Sequence, residues 1–184
     1  MTRKGLEANT VETARHRTVW IEAGPKQGPL LIFLHGWPEL GLVWRHQMEH
    51  FAAQGWRCVA PDMRGYGGSS RPESVAAYAI RELVADMVEL HDALGGAPAV
   101  WIGHDWGSAV AWSMASHHAG RCRGVANLCV PYFARGFAFL AEPMREDCEQ
   151  LHEVVIEGGH QIMLERPDAI NRAIADWVGF HSLA

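Results

Sequence analysis

The sequence predicts one α/β domain over residues 1–184, with a mostly parallel central sheet and helices on both of its faces. Short apolar runs alternate with helical patterns along most of the chain, which is typical of strand–helix–strand units. The run at Leu30–Leu34 is apolar at every position, as in a strand whose two faces are both covered. Ligands of such sheets bind at the carboxyl ends of the strands, so a site is expected there.

The individual elements follow from local patterns. Short apolar runs bounded by turn residues predict strands over residues 16–22, 30–34, 57–60, 99–102, 124–130 and 153–157. Helical spacing of apolar residues predicts helices over residues 43–54, 79–94, 106–118, 141–151 and 167–180. Residues 1–16 are polar and predict an irregular, frayed end.

Two loops stand out by composition. Residues 62–72 are rich in glycine but lack the Gly-Lys-Ser/Thr ending of a phosphate-binding loop. We therefore expect a structural loop near the site and not a nucleotide site. Residues 131–140 are rich in aromatic side chains and predict a second loop.

Composition excludes several classes of partner. With 16 Lys and Arg against 21 Asp and Glu, the net charge of −5 offers no basic surface for nucleic acid. No apolar run is long enough for a membrane span, and the first residues lack the apolar core of a signal peptide, which predicts a cytoplasmic protein. The four cysteines lack metal-ligand spacing, and Cys58 and Cys129 lie in apolar runs as buried, reduced thiols would. No metal and no cofactor are expected.

The candidate centre of the site is Asp105, which lies between Gly103 and Gly107, after a buried strand and before a helix. Gly-x-nucleophile-x-Gly in this context is typical of a nucleophile elbow, a strained turn whose glycines have no room for a side chain. An aspartate directly before a helix is also a common N-cap. The flanking glycines favour the elbow, and the positive end of the helix would keep the carboxylate ionised.

The second candidate is His160, on a Gly-Gly-His turn after the last predicted strand. A nucleophile that precedes the histidine is the chain order known for this motif on sheets of this kind. The alternative is a solvated loop histidine. The spacing of His160 from the other motifs favours a catalytic role.

Four motifs occur in order along the chain. They are His-Gly-Trp-Pro-Glu at 35–39, Asp-Met-Arg-Gly-Tyr-Gly at 62–67, Gly-His-Asp-Trp-Gly at 103–107 and Glu-Gly-Gly-His at 157–160. Each is weak by itself, but together they resemble the α/β-hydrolase-fold epoxide hydrolases over nearly all of residues 20–177. The resemblance implies the α/β-hydrolase fold and a small apolar epoxide as substrate, with water as the second reactant.

The residue type agrees with that chemistry. Attack of a carboxylate on an acyl carbon would give an anhydride, whereas opening an epoxide gives an ordinary ester. Asp105 would form the ester, and water activated by His160 would hydrolyse it. The backbone N–H groups of Trp37 and Trp106 would hold the oxyanion. The predicted walls of the substrate pocket are His35, Trp37, Pro38 and Trp106.

Two parts of the resembling family have no counterpart in this chain. Members carry a helical lid after the strand that ends near residue 130, with tyrosines that protonate the epoxide oxygen. They also carry a strand whose end supplies an acid to the histidine. The family pattern breaks near residues 139–142, where the lid is expected. Omission of the lid and acid strand is favoured over true deletion, because losing a central strand would expose apolar faces.

Two other functions stay open. A non-catalytic small-molecule binder would keep the geometry of the site without the lid and the acid. Haloalkane dehalogenases also carry Asp-Trp at the elbow, but the resembling motif there has Asn after His-Gly, where this chain has Trp37. That difference favours an epoxide over a haloalkane.

Overall fold

The computed structural model describes residues 5–130 and 154–180. Its strands are β1 (Glu7–Glu12), β2 (Arg17–Ala23), β3 (Leu30–Leu34), β4 (Arg57–Pro61), β5 (Ala99–His104) and β6 (Cys122–Leu128). In these residues the six strands form one sheet in the order β1-β2-β4-β3-β5-β6. Strand β3 is parallel to β4 and β5, and β5 is parallel to β6, whereas β2 pairs antiparallel with β1 and β4. The predicted mostly parallel sheet is confirmed.

Helices lie on both faces of this sheet. They are α1 (Arg45–Ala52), α2 (Ile80–Ala93), α3 (Trp106–His117), α4 (Ile162–Glu165) and α5 (Pro167–Phe180). Short 3-10 turns occur at Gly41–Trp44, Val75–Tyr78 and Ala119–Arg121. Among the described residues, the helices are too short or too polar to cross a membrane.

The two faces carry separate cores. Alternate side chains of β3 point to opposite faces, so Leu31 and Phe33 pack with the cluster that includes α1, α4 and α5. Leu30, Ile32 and Leu34 pack with the cluster under α2 and α3. All five are buried, which confirms the prediction of a strand covered on both faces.

Two predicted segments are wrong. Residues 7–12, expected to be irregular, form strand β1, which pairs with β2 over six residues. A polar edge strand is held by backbone hydrogen bonds and shows little apolar alternation, so its sequence resembles a loop. Residues 154–157, expected to lie in a strand, have no regular structure. Val154 and Val155 are exposed, and Ile156 alone of their apolar residues packs against the core.

A buried ion-pair cluster fixes the glycine-rich loop at residues 62–72. Asp86 of α2 is fully buried and accepts hydrogen bonds from Arg64 Nε at 2.7 Å and Nη2 at 2.6 Å. Arg15, from the turn between β1 and β2, also bonds this carboxylate, and His16 Nε2 lies 3.6 Å from it. A buried charge needs such partners, so this cluster joins the loop, the hairpin and α2.

Candidate active site

Asp105 lies at the carboxyl end of β5, beside the end of β3, where the sheet was expected to carry its site. Its backbone has φ 52° and ψ −121°, a conformation that non-glycine residues rarely adopt. Helix α3 begins at the next residue. The chain therefore turns sharply from strand to helix, and the strain is concentrated at the candidate nucleophile.

The elbow glycines have no room for a side chain. A Cβ on Gly107 would overlap the carbonyl oxygen of Leu34, and one on Gly103 would lie 2.6 Å from the Cα of Ser108. A Cβ on Gly36 would overlap the side chain of Asp105. The start of α3 thus passes close to the ends of both β3 and β5, which explains Gly107 and Gly103, and the Asp105 side chain occupies the space beside Gly36.

The carboxylate of Asp105 does not act as an N-cap, because it makes no hydrogen bond to the first turn of α3. Its Oδ1 instead accepts a hydrogen bond of 2.8 Å from the backbone N–H of Trp37. Its Oδ2 lies 3.6 Å from Nε2 of His160. The two oxygens therefore face different partners, one a backbone N–H and the other the imidazole of His160.

The backbone N–H of Trp37 is thus already directed at the carboxylate in the way an oxyanion donor requires. Trp106 is the first residue of α3, a helix of 12 residues whose positive end adjoins Asp105. A second oxyanion contact from the Trp106 N–H stays a prediction.

His160 lies on an irregular segment and is supported by its neighbours. Its carbonyl oxygen accepts a hydrogen bond of 2.7 Å from His104 Nε2. The N–H of the preceding Gly159 donates to Oε2 of Glu165 at 2.7 Å. The imidazole side chain is 52% exposed, so substrate or water can reach it.

The pocket role predicted for His35 does not agree with its position. The ring is fully buried, and Nε2 accepts a hydrogen bond of 2.9 Å from the Met63 N–H. Nδ1 lies 2.8 Å from the carbonyl oxygen of Gly36, which makes Nδ1 the donor. Burial lowers the pKa of His35, and the neutral ring satisfies both contacts. His35 therefore supports the loops of the site and offers no surface to a substrate.

The other predicted walls are open to solvent. Trp37 is 64% exposed and Trp106 is 63% exposed, and Pro38 is exposed as well. The backbone N–H of Trp37 bonds Asp105, and Trp106 follows Asp105 along the chain, so both residues lie next to the carboxylate. Large exposed apolar surface at a strand end is typical of a site that receives an apolar group.

Sequence reasoning missed Tyr66 as a neighbour of the site. Its pKa is raised by burial and by the negative charge of Asp105. Its ring meets that of His35 edge to face, with the centroids 5.0 Å apart. Its position in the glycine-rich loop was the available signal, and that loop was interpreted as structural.

Asp62 does hold the loop together, accepting hydrogen bonds from the N–H groups of Gly41 and Gly68.

The cysteines follow the prediction only in part. Cys58 is buried, and burial raises the pKa of its thiol. Cys129 was expected to be buried but is exposed, because the chain leaves β6 one residue earlier at Leu128. The predicted aromatic loop, the predicted helix at 141–151 and the break near residues 139–142 lie outside the described residues.

Comparison with known proteins agrees with this geometry. A family model described as the alpha/beta hydrolase fold matches residues 29–179. The chain is 49% identical over 125 residues to epoxide hydrolase A of Mycobacterium tuberculosis, an alignment that covers 68% of this chain and 39% of that protein. It is 41% identical over 116 residues to bifunctional epoxide hydrolase 2 of Sus scrofa, covering 63% of this chain and 20% of that protein. The chain thus spans well under half the length of these curated relatives.

Solved structures show the same likeness. An epoxide hydrolase from Vigna radiata superposes with a TM-score of 0.68 at 38% identity, covering 72% of this chain and 41% of that one. Epoxide hydrolase A from Mycobacterium thermoresistibile gives a TM-score of 0.68 at 40% identity, covering 80% of this chain and 46% of that one. The resemblance inferred from the four motifs is confirmed.

Proposed function

The chain belongs to the alpha/beta hydrolase fold family, and from that premise we propose that it opens epoxides to diols through an ester on Asp105. One observation carries the proposal. The carboxylate of Asp105 is held at Oδ1 by the Trp37 N–H and faces His160 at Oδ2. A carboxylate held in this way has one oxygen fixed and one oriented for attack.

The first step forms the ester. Oδ2 of Asp105 attacks an epoxide carbon, the C–O bond of the ring breaks, and the released alkoxide takes a proton from solvent. The strained backbone at Asp105 presents the carboxylate at the strand end. Oδ1, bonded to the Trp37 N–H, becomes the carbonyl oxygen of the ester.

The second step hydrolyses the ester. His160 takes a proton from water, and the water oxygen bonds to Cγ of Asp105. Negative charge then develops on Oδ1, where the Trp37 N–H stabilises it without rearrangement. The bond from Cγ to the alkyl oxygen breaks, that oxygen takes the proton from His160, and the regenerated carboxylic acid ionises.

The substrate is expected to be small and apolar. The exposed faces of Trp37 and Trp106 adjoin the carboxylate and offer an apolar surface to its carbon skeleton. The relatives and solved structures described above are themselves epoxide hydrolases, which supports an epoxide over a haloalkane.

Trapping of the ester tests the proposal. The protein and a His160→Gln variant are incubated with styrene oxide, a small apolar epoxide, and digested for mass spectrometry. We expect the variant to accumulate an adduct of the epoxide's mass on the peptide with Asp105, because hydrolysis of the ester needs the base. His117→Gln, a change of an exposed histidine at the end of α3, is the matched control and should accumulate none.

Other outcomes have distinct meanings. A folded protein that gives neither diol nor adduct contradicts the proposal and favours a non-catalytic binder. Halide release from a haloalkane, without diol from the epoxide, favours a dehalogenase.

A further inference from the structure

Three possible metal ligands meet beside the candidate nucleophile. They are His104 at the end of β5, Cys129 just after β6, and His160. One ligand atom from each lies within 4.8 Å of the others. We call these residues the His-Cys-His cluster. They come from three distant parts of the sequence, so their spacing carries no metal-binding motif.

His104 is in the form that a metal binds. Its Nε2 hydrogen-bonds a carbonyl oxygen, which can only accept, so Nε2 carries the proton and Nδ1 holds a free lone pair. The residue is fully buried, and Nδ1 has no hydrogen-bond partner. A buried nitrogen without a hydrogen-bond partner is unusual, and the free lone pair on Nδ1 is available to a metal ion.

Cys129 brings a soft donor to the same place. It is a free, exposed thiol with φ 63°, a backbone conformation that is uncommon outside glycine and that clusters at functional sites. Its Sγ lies 3.5 Å from the carbonyl oxygen of His160. Burial, together with the negative charges of Asp105 and Glu165, raises the pKa of this thiol, and the same two charges attract a cation.

The donor set selects a class of metal. Two imidazoles and a thiolate suit Zn²⁺ and similar borderline-soft cations, whereas Mg²⁺ and Ca²⁺ prefer oxygen ligands. Bonds of about 2.0–2.3 Å in tetrahedral geometry place ligand atoms about 3.3–3.7 Å apart. The cluster must therefore contract by about 1 Å, and two of its members, Cys129 and His160, are exposed at the surface.

We propose that the His-Cys-His cluster is an inhibitory binding site for a soft divalent transition-metal cation, with Zn²⁺ as the representative ion. The thiol of Cys129 releases its proton to solvent, and the sulfur and the imidazole nitrogens bind the metal. Coordination occupies His160, which can then no longer take a proton from water. The inhibitory effect rests on the function proposed above, whereas the binding does not.

Binding is tested with Co²⁺, whose absorption spectrum reports both coordination geometry and bonding to sulfur. We expect the protein to show a thiolate-to-cobalt charge-transfer band that Zn²⁺ abolishes and Mg²⁺ leaves unchanged. Cys129→Ser should remove the band and weaken Zn²⁺ binding at least tenfold. Cys129→Asn is a second variant, because asparagine tolerates positive φ and lacks a soft donor. Cys122→Ser is the matched control and should keep the band.

Turnover of styrene oxide gives the second readout. Zn²⁺ should inhibit the protein, a chelator should restore it, and Cys129→Asn should be inhibited at least tenfold less. A missing band in the unmodified protein, or a band that survives both Cys129 substitutions, overturns the proposal. A Cys129-dependent band in a protein without turnover supports the metal site and contradicts the proposed function instead, so the two failures are distinguishable.

Discussion

The proposed nucleophile, Asp105, lies between regular elements, whereas the proposed base, His160, lies on an irregular segment. We call these two parts the nucleophile half and the base half of the site. Asp105 is fixed by β5 on one side and α3 on the other, and the backbone of β3 leaves no space at Gly107. His160 lies between residues without regular structure and α4, a helix of four residues. Its position depends on a few individual contacts, above all with His104 and, through Gly159, with Glu165.

This difference indicates how the two halves respond to change. Dense packing around the elbow fixes its geometry but tolerates no added atom. The histidine segment can adjust, because flexible side chains contact it. The two halves are nevertheless linked, since His104 bonds His160 and is the residue next to Asp105 along the chain.

Removal of the nucleophile should have the largest effect. Asp105→Ala is expected to lower kcat/KM for an epoxide by about 10⁴-fold or more, because an activated catalytic unit is lost. The fold should persist, since the side chain caps no helix. Steady-state kinetics and circular dichroism check both points. Ester formation in the Asp105→Ala variant would contradict the assignment.

A pair of glycine substitutions compares the rigidity of the two halves. Gly107→Ala should cost about 3 kcal/mol in the free energy of unfolding, because its Cβ meets the rigid backbone of Leu34. Gly159→Ala should stay within about 0.5 kcal/mol, because its Cβ meets the end of the flexible Glu165 side chain. Denaturant unfolding of both variants measures the difference. Equal losses in the free energy of unfolding would contradict the difference in rigidity between the two halves.

The link between the halves can be tested at His104, a positioning residue. His104→Leu removes the donor to the His160 carbonyl and should lower kcat by about 10- to 100-fold, with a smaller change in KM, because the base is displaced. His104→Gln offers an N–H donor in its place and should restore part of the loss. Partial recovery of kcat in His104→Gln would show that the hydrogen bond positions His160. Equal activity of the two variants would argue against a positioning role for His104.

Acidification should destabilise the interior of the nucleophile half. Burial lowers the pKa values of His35 and His104 below their ordinary value, so the unfolded chain binds protons more readily than the folded one. Their contribution to stability is therefore present above about pH 6.5 and is lost as the pH falls through the folded-state pKa values. Each group adds a slope of up to about 1.4 kcal/mol per pH unit. Denaturant unfolding at several pH values should show a shallower slope for His35→Gln.

The same contrast explains what the sequence could predict. The bounds of β3 and α5 agree with the prediction, because each depends on a local pattern of apolar residues. The elbow is equally local, since strand, glycines and helix adjoin Asp105 in the chain. Sequence reasoning therefore predicted the strand, the sharp turn and the helix around Asp105, the proposed nucleophile.

For the base half, the sequence predicted His160 itself but not the contacts that hold it in place. The contact between His104 and His160 joins residues 56 positions apart, and a side chain that bonds a carbonyl leaves no periodic pattern. The exposure of Cys129 depends on where β6 ends. His35 was misplaced for a related reason, because one of its two ring partners, the Met63 N–H, comes from the backbone of another loop.

The buried Asp86 cluster has a consequence for the order of folding. Arg64 and Asp86 are 22 residues apart, whereas Arg15 and Asp86 are 71 apart. Closing the shorter loop costs about 1 kcal/mol less in chain entropy, so the glycine-rich loop can join α2 before the N-terminal hairpin does. The hairpin is synthesised first, but its ion pair with Asp86 can form only after α2 has been made.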